Sequence, residues 1–261
     1  MKNEIKIKTI YGELTCFDKD LITEKILKYG SYARPEFSFA TSIIRKNFKI
    51  FDLGAHIGTF ALASEKKIDN GGKILCLEGN LETFNLLSKN LKNKKNITLL
   101  NEYIGNTNNT YSYFISNLNN MGGGHLLEKD DGNIQCYSID DLVNDYFFPQ
   151  YIKIDIEGLE YTAISNSKYI KEKLPIIYVE INENALARNK SSKSQLINLL
   201  KNYGYTFFKN IGDRNNEHDI FLNAHIEDFS IIKNKIFDII CVNKHSQEYQ
   251  YLKKNSIYIK R

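Results

Sequence analysis

The stretch KIFDLGAHIGTFAL, residues 49–62, decides which fold this chain adopts. An apolar run ends at Asp52, and two glycines follow at Gly54 and Gly58. Glycine lets the backbone of a turn approach a ligand closely and lets the next helix begin near the strand. In parallel sheets, ligands bind beyond the carboxyl ends of the strands. The stretch therefore predicts a β-strand, a ligand-binding turn and a helix.

Short apolar segments alternate with amphipathic ones on the C-terminal side of this stretch. The predicted strands are residues 49–53, 73–78, 96–104, 151–156 and 175–181, then 204–210 and 236–243 with irregular chain between them. The predicted helices are residues 58–68, 81–92, 158–172 and 193–203. Strands that alternate with helices are typical of parallel sheets, and the last two strands favour an antiparallel pair at one edge. The predicted fold class is therefore α/β: a Rossmann-like, mostly parallel, twisted sheet of seven strands with helices on both faces and an antiparallel edge hairpin.

The chain divides into three parts by its pattern. We expect residues 1–47 to form a lead that acts as a lid, residues 48–245 to form the Rossmann-like domain, and residues 246–261 to form a tail. An insertion at residues 106–133 is polar, is rich in Asn and has three consecutive glycines before His125. Long loops in compact domains are usually functional or disordered. We predict that the insertion contacts substrate, because it carries His125 and aromatic residues.

Composition narrows the class of protein. Of the 261 residues, 42% are hydrophobic and 25% are charged, an ordinary globular balance. The net charge of +4 is small and the lysines are scattered, which does not indicate a nucleic-acid partner. The four cysteines form no C-x-x-C pair, which argues against a zinc ribbon or a redox motif. No signal-peptide core and no run near ~18 apolar residues is visible, so we expect a cytoplasmic protein without a transmembrane segment.

An acidic residue ends the second predicted strand. Glu78 lies about 20 residues beyond Gly58, where a carboxylate typically binds the hydroxyls of a ribose. The turn D-x-G-x-x-x-G lacks the G-x-G-x-x-G pattern of dinucleotide sites and the lysine of a P-loop. The carboxylate of Asp52 repels phosphates but attracts an ammonium or a sulfonium group. S-adenosylmethionine carries a ribose and both cations, so we predict that it is the cofactor.

The strand at residues 151–156 carries charges where a central strand is normally apolar. Lys153 and Asp155 share one face, and an unpaired buried charge costs several kcal/mol, roughly. We predict that they pair with each other or with the ligand and form a structural and catalytic unit. Glu157 and Glu160 follow at a helix start. The helix dipole accounts for Glu160, whereas the role of Glu157 stays open.

The next strand repeats this pattern. Glu180 and Asn182 share a face near its carboxyl end, and we predict that they bind substrate together with Glu157. The carboxylates of Asp155, Glu157 and Glu180 could hold a divalent cation, but strand-end carboxylates also bind hydroxyl groups. The sequence does not separate these alternatives, and we predict a site without metal.

Five motifs give a more specific indication. FDLGAHIGTFAL, LCLEGN, CYSIDDLV, YIKIDIEGLEY and IIYVEIN occur in this order between about residues 31 and 182, and the set resembles the FkbM family of S-adenosylmethionine-dependent methyltransferases. The resemblance implies a class I methyltransferase fold and methylation of hydroxyls, often on sugars. It implies that cofactor contacts also come from Ala55, His56 and Asn80. It further implies that a polar residue before the first strand, here Glu36, closes over the cofactor, although a helix N-terminal carboxylate explains Glu36 equally.

The predicted function is an O-methyltransferase that acts on a sugar hydroxyl, either nucleotide-linked or in a surface polysaccharide precursor. For the general base we rank His125 first, because histidine titrates near neutral pH. Asp155 ranks second and His56 third. The alternatives are a nicotinamide-dependent oxidoreductase, against which the missing G-x-G-x-x-G speaks, a non-catalytic binding protein that retains the fold, and methylation of nitrogen or another acceptor atom. The oligomeric state stays open, a homo-oligomer included.

Overall fold

The computed structural model describes residues 2–115, 117, 119–213, 216–218 and 221–257. Its strands are β1 (Glu4–Thr9), β2 (Gly12–Phe17), β3 (Lys49–Leu53), β4 (Lys73–Leu77), β5 (Ile97–Leu100), β6 (Tyr111–Phe114), β7 (His125–Glu128), β8 (Tyr151–Ile154), β9 (Ile176–Asn182), β10 (Tyr205–Asn210), β11 (Asn223–Ile226) and β12 (Ile236–Asn243). Its α-helices are α1 (Leu21–Tyr29), α2 (Arg34–Thr41), α3 (Thr59–Glu65), α4 (Leu81–Leu91), α5 (Ile139–Asp145), α6 (Glu160–Ser165), α7 (Lys168–Lys173), α8 (Glu183–Arg188), α9 (Lys193–Tyr203) and α10 (Gln247–Lys254). None of the helices in these ranges is long and apolar enough to cross a bilayer.

The central sheet has eight strands in the order β11-β10-β12-β9-β8-β3-β4-β5. The five strands from β9 to β5 are parallel to one another. Beyond β9 follow β12, β10 and β11, each antiparallel to the strand before it in the sheet. The predicted α/β class and the antiparallel edge are therefore confirmed, but the predicted number of seven strands is wrong. The eighth strand, β11, lies in the segment that we expected to be irregular. Its sequence NAHI carries little β signal, and its pairing with β10 comes from the tertiary fold.

Apolar side chains alternate between the two faces of the sheet and bury both. Ile50 and Tyr151 point to a cluster that includes α3 and α4, whereas Phe51 and Ile152 point to a cluster that includes α5 and α9. A sheet covered on both faces explains why these strands are nearly all apolar. Charged residues within them are therefore exceptions that need a partner.

The lead packs on the same face as α3. Leu14, Ile26 and Phe39 are fully buried there. The carboxylate of Asp20 accepts from Ile22 N (2.9 Å) at the start of α1, and it also accepts from Met121 N (3.0 Å) in the insertion. The lead and the insertion are therefore joined over the carboxyl ends of the strands.

The insertion and the tail both contain regular structure. The insertion forms the hairpin β6–β7 with a 3₁₀ turn at Met121–Gly123, although its residues 116 and 118 lie outside the described residues. The tail forms α10, where Asn223 Nδ2 donates to Leu252 O (2.7 Å), and its residues 258–261 are not described.

Two predicted elements differ most from the structure. The predicted helix at 158–172 is two helices, because the hydroxyl of Ser167 caps α7 by accepting from Ile170 N (3.1 Å). The predicted strand at 96–104 ends at Leu100, and the following residues, Tyr103 among them, turn toward the carboxyl ends of the sheet.

Candidate cofactor and acceptor site

A cavity of about 770 Å³ opens at the carboxyl ends of the parallel strands. It brings together the turns after β3, β4, β8 and β9 with residues of the lead and the insertion. The predicted site residues that line it are Gly54, Ala55, His56, Glu78, Asn80, His125, Lys153, Asp155, Glu157, Glu180 and Asn182. Glu36, Asp52 and Gly58 were also predicted for the cofactor site, and they lie outside its lining.

The two glycines of the first turn have different roles. Gly54 has a φ of 78°, and a Cβ atom there would lie 1.8 Å from Asp155 O. Gly58 has a φ of 93°, and its Cβ would press on Leu87 and Leu91 of α4 at 3.0 and 3.2 Å. Gly54 therefore lets the turn approach the end of β8, whereas Gly58 serves the packing of α3 on α4. Gly58 lies outside the lining of the cavity, and its contact with the cofactor stays a prediction.

The Glu78 carboxylate is fixed by backbone N–H groups on both sides. Its Oε2 accepts from His56 N and its Oε1 accepts from Asn80 N, each at 3.0 Å. Burial raises the pKa of Glu78 to about 7. Each carboxylate oxygen keeps further lone pairs, and Glu78 lines the cavity. The geometry fits a pair of ribose hydroxyls.

An aromatic wall stands beside Glu78. A Cβ atom at Gly79 would lie 2.1 Å from the Tyr103 ring, so the ring covers that turn closely. Asn80 caps α4 and its Nδ2 donates to Tyr113 OH (3.0 Å). The flat ring beside the Glu78 carboxylate offers a stacking surface for a planar base. Tyr103 was missed because the predicted strand ran through it; the rule that ligands bind beyond strand ends would have identified it on a shorter strand.

A charged triad of two buried residues, Asp52 and Lys153, and the half-buried Asp155 lies beneath the turn. Lys153 Nζ is 3.4 Å from Asp52 Oδ1 and 3.5 Å from Asp155 Oδ2, and it donates to Gly54 O. Burial raises the pKa of Asp52, an effect that Lys153 opposes. Burial alone would lower the pKa of Lys153, but Asp155 and Asp52 raise it above its usual range. The predicted pair of Lys153 and Asp155 is present, whereas Asp52 faces Lys153 and not the cavity.

An acidic cluster of Asp155, Glu157 and Glu180 adjoins the triad and shares Asp155 with it. One oxygen of each carboxylate lies within 4.8 Å of the others. Burial, with Asp155 nearby, raises the pKa of Glu157 to about 8. Arg188 Nη2 is 3.9 Å from Glu157 Oε2. Three acceptors this close together can bind several hydroxyl groups of one ligand, and they also have the spacing that a divalent cation needs.

Glu160 and Asn182, near the acidic cluster, accept hydrogen bonds from backbone N–H groups at helix starts. Glu160 Oε1 accepts from Ile156 N (3.0 Å) and Gly158 N (3.1 Å) at the start of α6, as expected for a helix N-terminal carboxylate. Asn182 caps α8 through its Oδ1, which accepts from Ala185 N (3.2 Å). Asn182 also lines the cavity, whereas Glu160 lies behind it.

Both predicted histidines line the cavity. His56 has a φ of 51°, and burial lowers its pKa to about 4. His125 begins β7, its Nδ1 is 3.3 Å from Gly123 O, and its ring stacks on Phe114. A Cβ atom at Gly122 would lie 3.6 Å from His56 Nε2, so the turn of the insertion lies directly over His56.

Glu36 was predicted to close over the cofactor, and it lies outside the lining of the cavity. It is buried in the first turn of α2, and its Oε1 accepts from Asn210 Nδ2 (3.2 Å). The alternative explanation, a helix N-terminal carboxylate, fits this position. The sequence did not indicate the lining residues of the lead and the insertion, because they do not follow the carboxyl end of a parallel strand. These residues include Ile22, Lys25, Asn120 and Met121.

Comparison with known proteins gives a family. The model of the methyltransferase FkbM domain matches residues 52–207, which is more than half of the chain. No curated protein sequence matches the chain.

Solved structures with a similar fold are distant in sequence. Fibrillarin from Aeropyrum pernix, solved with S-adenosyl-L-methionine, has 11% identity and a TM-score of 0.44; the match covers 92% of this chain and 82% of that chain. A SAM-dependent O-methyltransferase from Thermotoga maritima has 10% identity and a TM-score of 0.45, covering 98% and 79%. Precorrin-6y C5,15-methyltransferase from Geobacter metallireducens has 14% identity and a TM-score of 0.45, covering 79% and 88%.

The extent of the family match decides the assignment, and it supersedes the nicotinamide-dependent alternative. The matched region contains the Gly54 turn, Glu78 and the strand of Lys153. The chain therefore belongs to the FkbM family of methyltransferases, and its cofactor is S-adenosylmethionine.

Proposed function

We propose that this chain is an O-methyltransferase that methylates a sugar hydroxyl, carried either by a nucleotide or by a surface polysaccharide precursor. The observation that carries the proposal is the acidic cluster beside the cofactor half of the cavity. A cluster of carboxyl groups offers several acceptor oxygens in a small space, so it favours a ligand rich in hydroxyl donors. The cavity volume is toward the upper end of the range of about 300–1,000 Å³ for ligand sites, as expected for a site that takes two molecules.

The cofactor half is proposed from the contacts described above. The Glu78 carboxylate would bind the ribose hydroxyls, and the Tyr103 ring would lie beside the adenine. The backbone from Gly54 to His56 would face the methionine end, because Gly54 allows the closest approach of the chain there. The proposed arrangement places the methyl group near the end of β8.

The cofactor supplies the methyl group: the acceptor oxygen bonds to the methyl carbon as the carbon–sulfur bond breaks, and the electron pair of that bond stays on sulfur. The hydroxyl proton must leave as the new bond forms, and a positioned base takes it before releasing it to solvent. Holding the acceptor oxygen in line with the methyl group is the other contribution of the protein.

For the base, we propose Asp155 in place of His125, which the sequence favoured. What supports Asp155 is its place at the end of a central strand, in contact with the Gly54 turn. The side chain of Asp155 is 38% exposed, and the ammonium group of Lys153 contacts one of its two carboxylate oxygens, Oδ2. His125 lies on the hairpin of the insertion, and its Nδ1 faces its own turn. His125 is therefore proposed as an acceptor contact.

The lead and the insertion are proposed to act together as a lid. Besides the bonds of Asp20, Leu21 N donates to Asn119 O (2.9 Å), and Ile22 and Lys25 of α1 line the cavity. Opening the cavity would therefore move α1 together with the 3₁₀ turn of the insertion. Access of the acceptor, rather than the chemical step, should depend on these contacts.

A mass screen tests the proposed function. The protein is incubated with S-adenosylmethionine and a panel of nucleotide sugars and glycans, and products are searched for the mass of one added methylene group. A methylated sugar is the expected result, and Asp155→Asn is the control that should suppress it. Methylation of an amine alone would contradict the proposed acceptor. Cofactor binding without any S-adenosylhomocysteine formation would support the non-catalytic alternative.

A further inference from the structure

We propose that a second groove, which shares the wall residue Phe37 with the cavity at the strand ends, binds the phosphate groups to which the acceptor sugar is attached. The inference rests on the proposed function and narrows it to a sugar carried on a diphosphate, either of a nucleotide or of a lipid. The groove has a volume of about 480 Å³. It lies between the tip of the β1–β2 hairpin, α2, the end of α3, and α10.

The groove is positively charged. Its described lining residues include three cations, Arg34 of α2 and Lys66 and Lys67 after α3, and no carboxylate. Lys66 Nζ donates to Ile10 O (2.6 Å), and cations are favoured at the end of a helix such as α3. Among the residues that the structure describes, no carboxylate lies within ion-pair distance of Arg34 or Lys67. Like charges held together without a counterion favour the binding of an anion.

Neighbouring lysines, in contrast, have carboxylate partners. Lys89 Nζ lies 2.6 Å from Glu4 Oε2, and Lys94 Nζ lies 3.0 Å from Glu65 Oε2. Glu65 is the residue directly before Lys66, and its side chain pairs with α4 and not with the groove. The charge of the groove is therefore not the ordinary arrangement of this part of the surface.

The carboxylate closest in sequence contact to Arg34 is used elsewhere. Glu217 is 2% exposed, and its oxygens accept from Ser31 Oγ (2.9 Å), Ala33 N (2.7 Å) and Arg34 N (2.8 Å). It is not among the lining residues of the groove. Glu217 therefore fixes the backbone that carries Arg34 and leaves the guanidinium group without an ion-pair partner in the groove.

The groove and the cavity adjoin each other. Phe37 lines both, and Tyr11 OH, in the groove, donates to Tyr32 O (2.8 Å), in the cavity wall. Lys25 lines the cavity, and its Nζ lies 5.7 Å from the centroid of the Tyr32 ring. A ligand that runs from the cavity across Tyr32 and Phe37 into the groove meets Lys25 first and Arg34 next. A sugar in the cavity with phosphates in the groove matches this order of charges.

The donors of the groove suit a diphosphate. A guanidinium group binds two phosphate oxygens at once, and ammonium groups add further charge-assisted hydrogen bonds. Ser38 is exposed on α2 and offers a hydroxyl donor. Tyr251 is 50% exposed and Ile10 is 44% exposed, so apolar surface lies beside the cations. That surface suits either a nucleobase or the first part of a lipid chain.

Calorimetry on the protein with bound S-adenosylhomocysteine tests the groove. The probes are inorganic diphosphate, UDP, and phosphatidylcholine vesicles with and without a polyprenyl diphosphate. We expect Arg34→Gln/Lys67→Gln to weaken binding of the diphosphate carrier by about tenfold or more, because charge-assisted hydrogen bonds are lost. Ser38→Phe fills the groove without a change of charge, and a similar loss is expected. The control Lys168→Gln/Lys171→Gln removes two charges on α7, which packs on the other face of the sheet.

The outcomes separate the two carriers. Binding of UDP that depends on the groove residues assigns a nucleotide carrier, and binding only to vesicles with the polyprenyl diphosphate assigns a lipid carrier. Binding of inorganic diphosphate alone, binding of no probe, or equal affinities in the groove and control variants would overturn the proposal. The affinity for S-adenosylhomocysteine reports that each variant is folded. No sugar is used, so failure here leaves the mass screen for sugar methylation unaffected.

Discussion

The two sides of the cavity are built in different ways. Its floor consists of the turns after β3, β4 and β8, where Gly54 N and Ala55 N donate to Leu77 O at 3.0 and 2.7 Å and sheet register fixes the charged triad. Its roof consists of α1 and the insertion, joined mainly through Asp20 and Leu21. The comparison indicates that the sheet fixes side chains in the positions that a reaction requires. Segments held by a few loop contacts can instead move and open the cavity. We therefore expect floor variants to change turnover and cofactor affinity, and roof variants to change access.

The strongest test compares Asp155 on the floor with His125 on the roof. Asp155→Asn should lower the turnover number by roughly 10²- to 10⁴-fold, because general-base loss has that effect. Its stability should fall by less than the about 3–5 kcal/mol that follows when a buried charge loses its partner, because Lys153 keeps Asp52. Methyl-transfer kinetics and thermal melting measure the two effects.

His125→Ala is the matched variant. It should raise the KM for the acceptor and keep the turnover number within about tenfold, because a contact residue contributes mainly to binding. A larger loss of turnover in His125→Ala than in Asp155→Asn would move the base to the roof and contradict the comparison.

The second test uses glycine geometry. Gly54→Ala should abolish cofactor binding, because its Cβ would lie 1.8 Å from Asp155 O in addition to the strain of a positive φ. Gly30→Ala is the control: its φ is 67°, but no atom lies within 4 Å of its Cβ. Only the backbone strain of about 1–2 kcal/mol is expected there. Similar behaviour of the two variants in calorimetry and melting would show that close approach at Gly54 is unimportant.

The third test concerns Glu78 and pH. Glu78→Gln should weaken cofactor binding by roughly ten- to a hundredfold, since a lost carboxylate–ribose contact costs about 2–3 kcal/mol. The pKa of Glu78 is raised to about 7, so its contribution to stability of the cofactor-free protein is present at acidic pH and is lost as pH rises through 7. Cofactor affinity should rise over the same range, because the ionised carboxylate accepts from the ribose. Calorimetry at several pH values in which Glu78→Gln retains this dependence would assign it to another group.

Much of the floor was predictable from sequence, and the reason is periodicity. The alternation of apolar runs and helices gave the parallel strands, and the strand-end rule gave Glu78, Asp155 and Glu180. Lys153 was identified as a charge in an otherwise apolar strand. The pairing of Asp52 with Lys153 was not predictable, because it depends on the register between two strands that are distant in sequence. A pattern within one strand contains no information about its neighbour.

The roof was largely unpredictable, for a related reason. Its contacts join residues distant in sequence, such as Asp20 with Met121, and no periodic pattern marks them. The contact of Glu36 with Asn210 was unpredictable for the same reason, because only the fold brings Asn210 against α2. Short segments such as β11 are likewise specified by their neighbours and not by their own propensity.

The fourth test removes the hydrogen bond between Asp20 and Met121 that joins the lead to the insertion. Asp20→Asn loses the acceptor for Met121 N, so stability should fall by about 1 kcal/mol, the typical contribution of one hydrogen bond. The KM for the substrate that accepts the methyl group should rise a few-fold, while the turnover number stays unchanged. Glu24→Gln, an exposed position on the same helix, should change neither quantity. A loss of turnover in Asp20→Asn with unchanged KM would place this residue in the chemistry of the floor.

The smallest effect is expected from removal of divalent cations. The acidic cluster has the spacing of a cation site, but Lys153 lies 3.5 Å from Asp155 and Arg188 lies 3.9 Å from Glu157. The pKa of Glu157 is raised to about 8, so near neutral pH it holds a proton, which reduces the charge that a cation would otherwise neutralise. Turnover should therefore be the same before and after treatment with a chelator, measured with the acceptor identified by the mass screen. A loss on chelation that Mg²⁺ restores, but Na⁺ at equal ionic strength does not, would assign a metal to the cluster and make the floor a metal-dependent site.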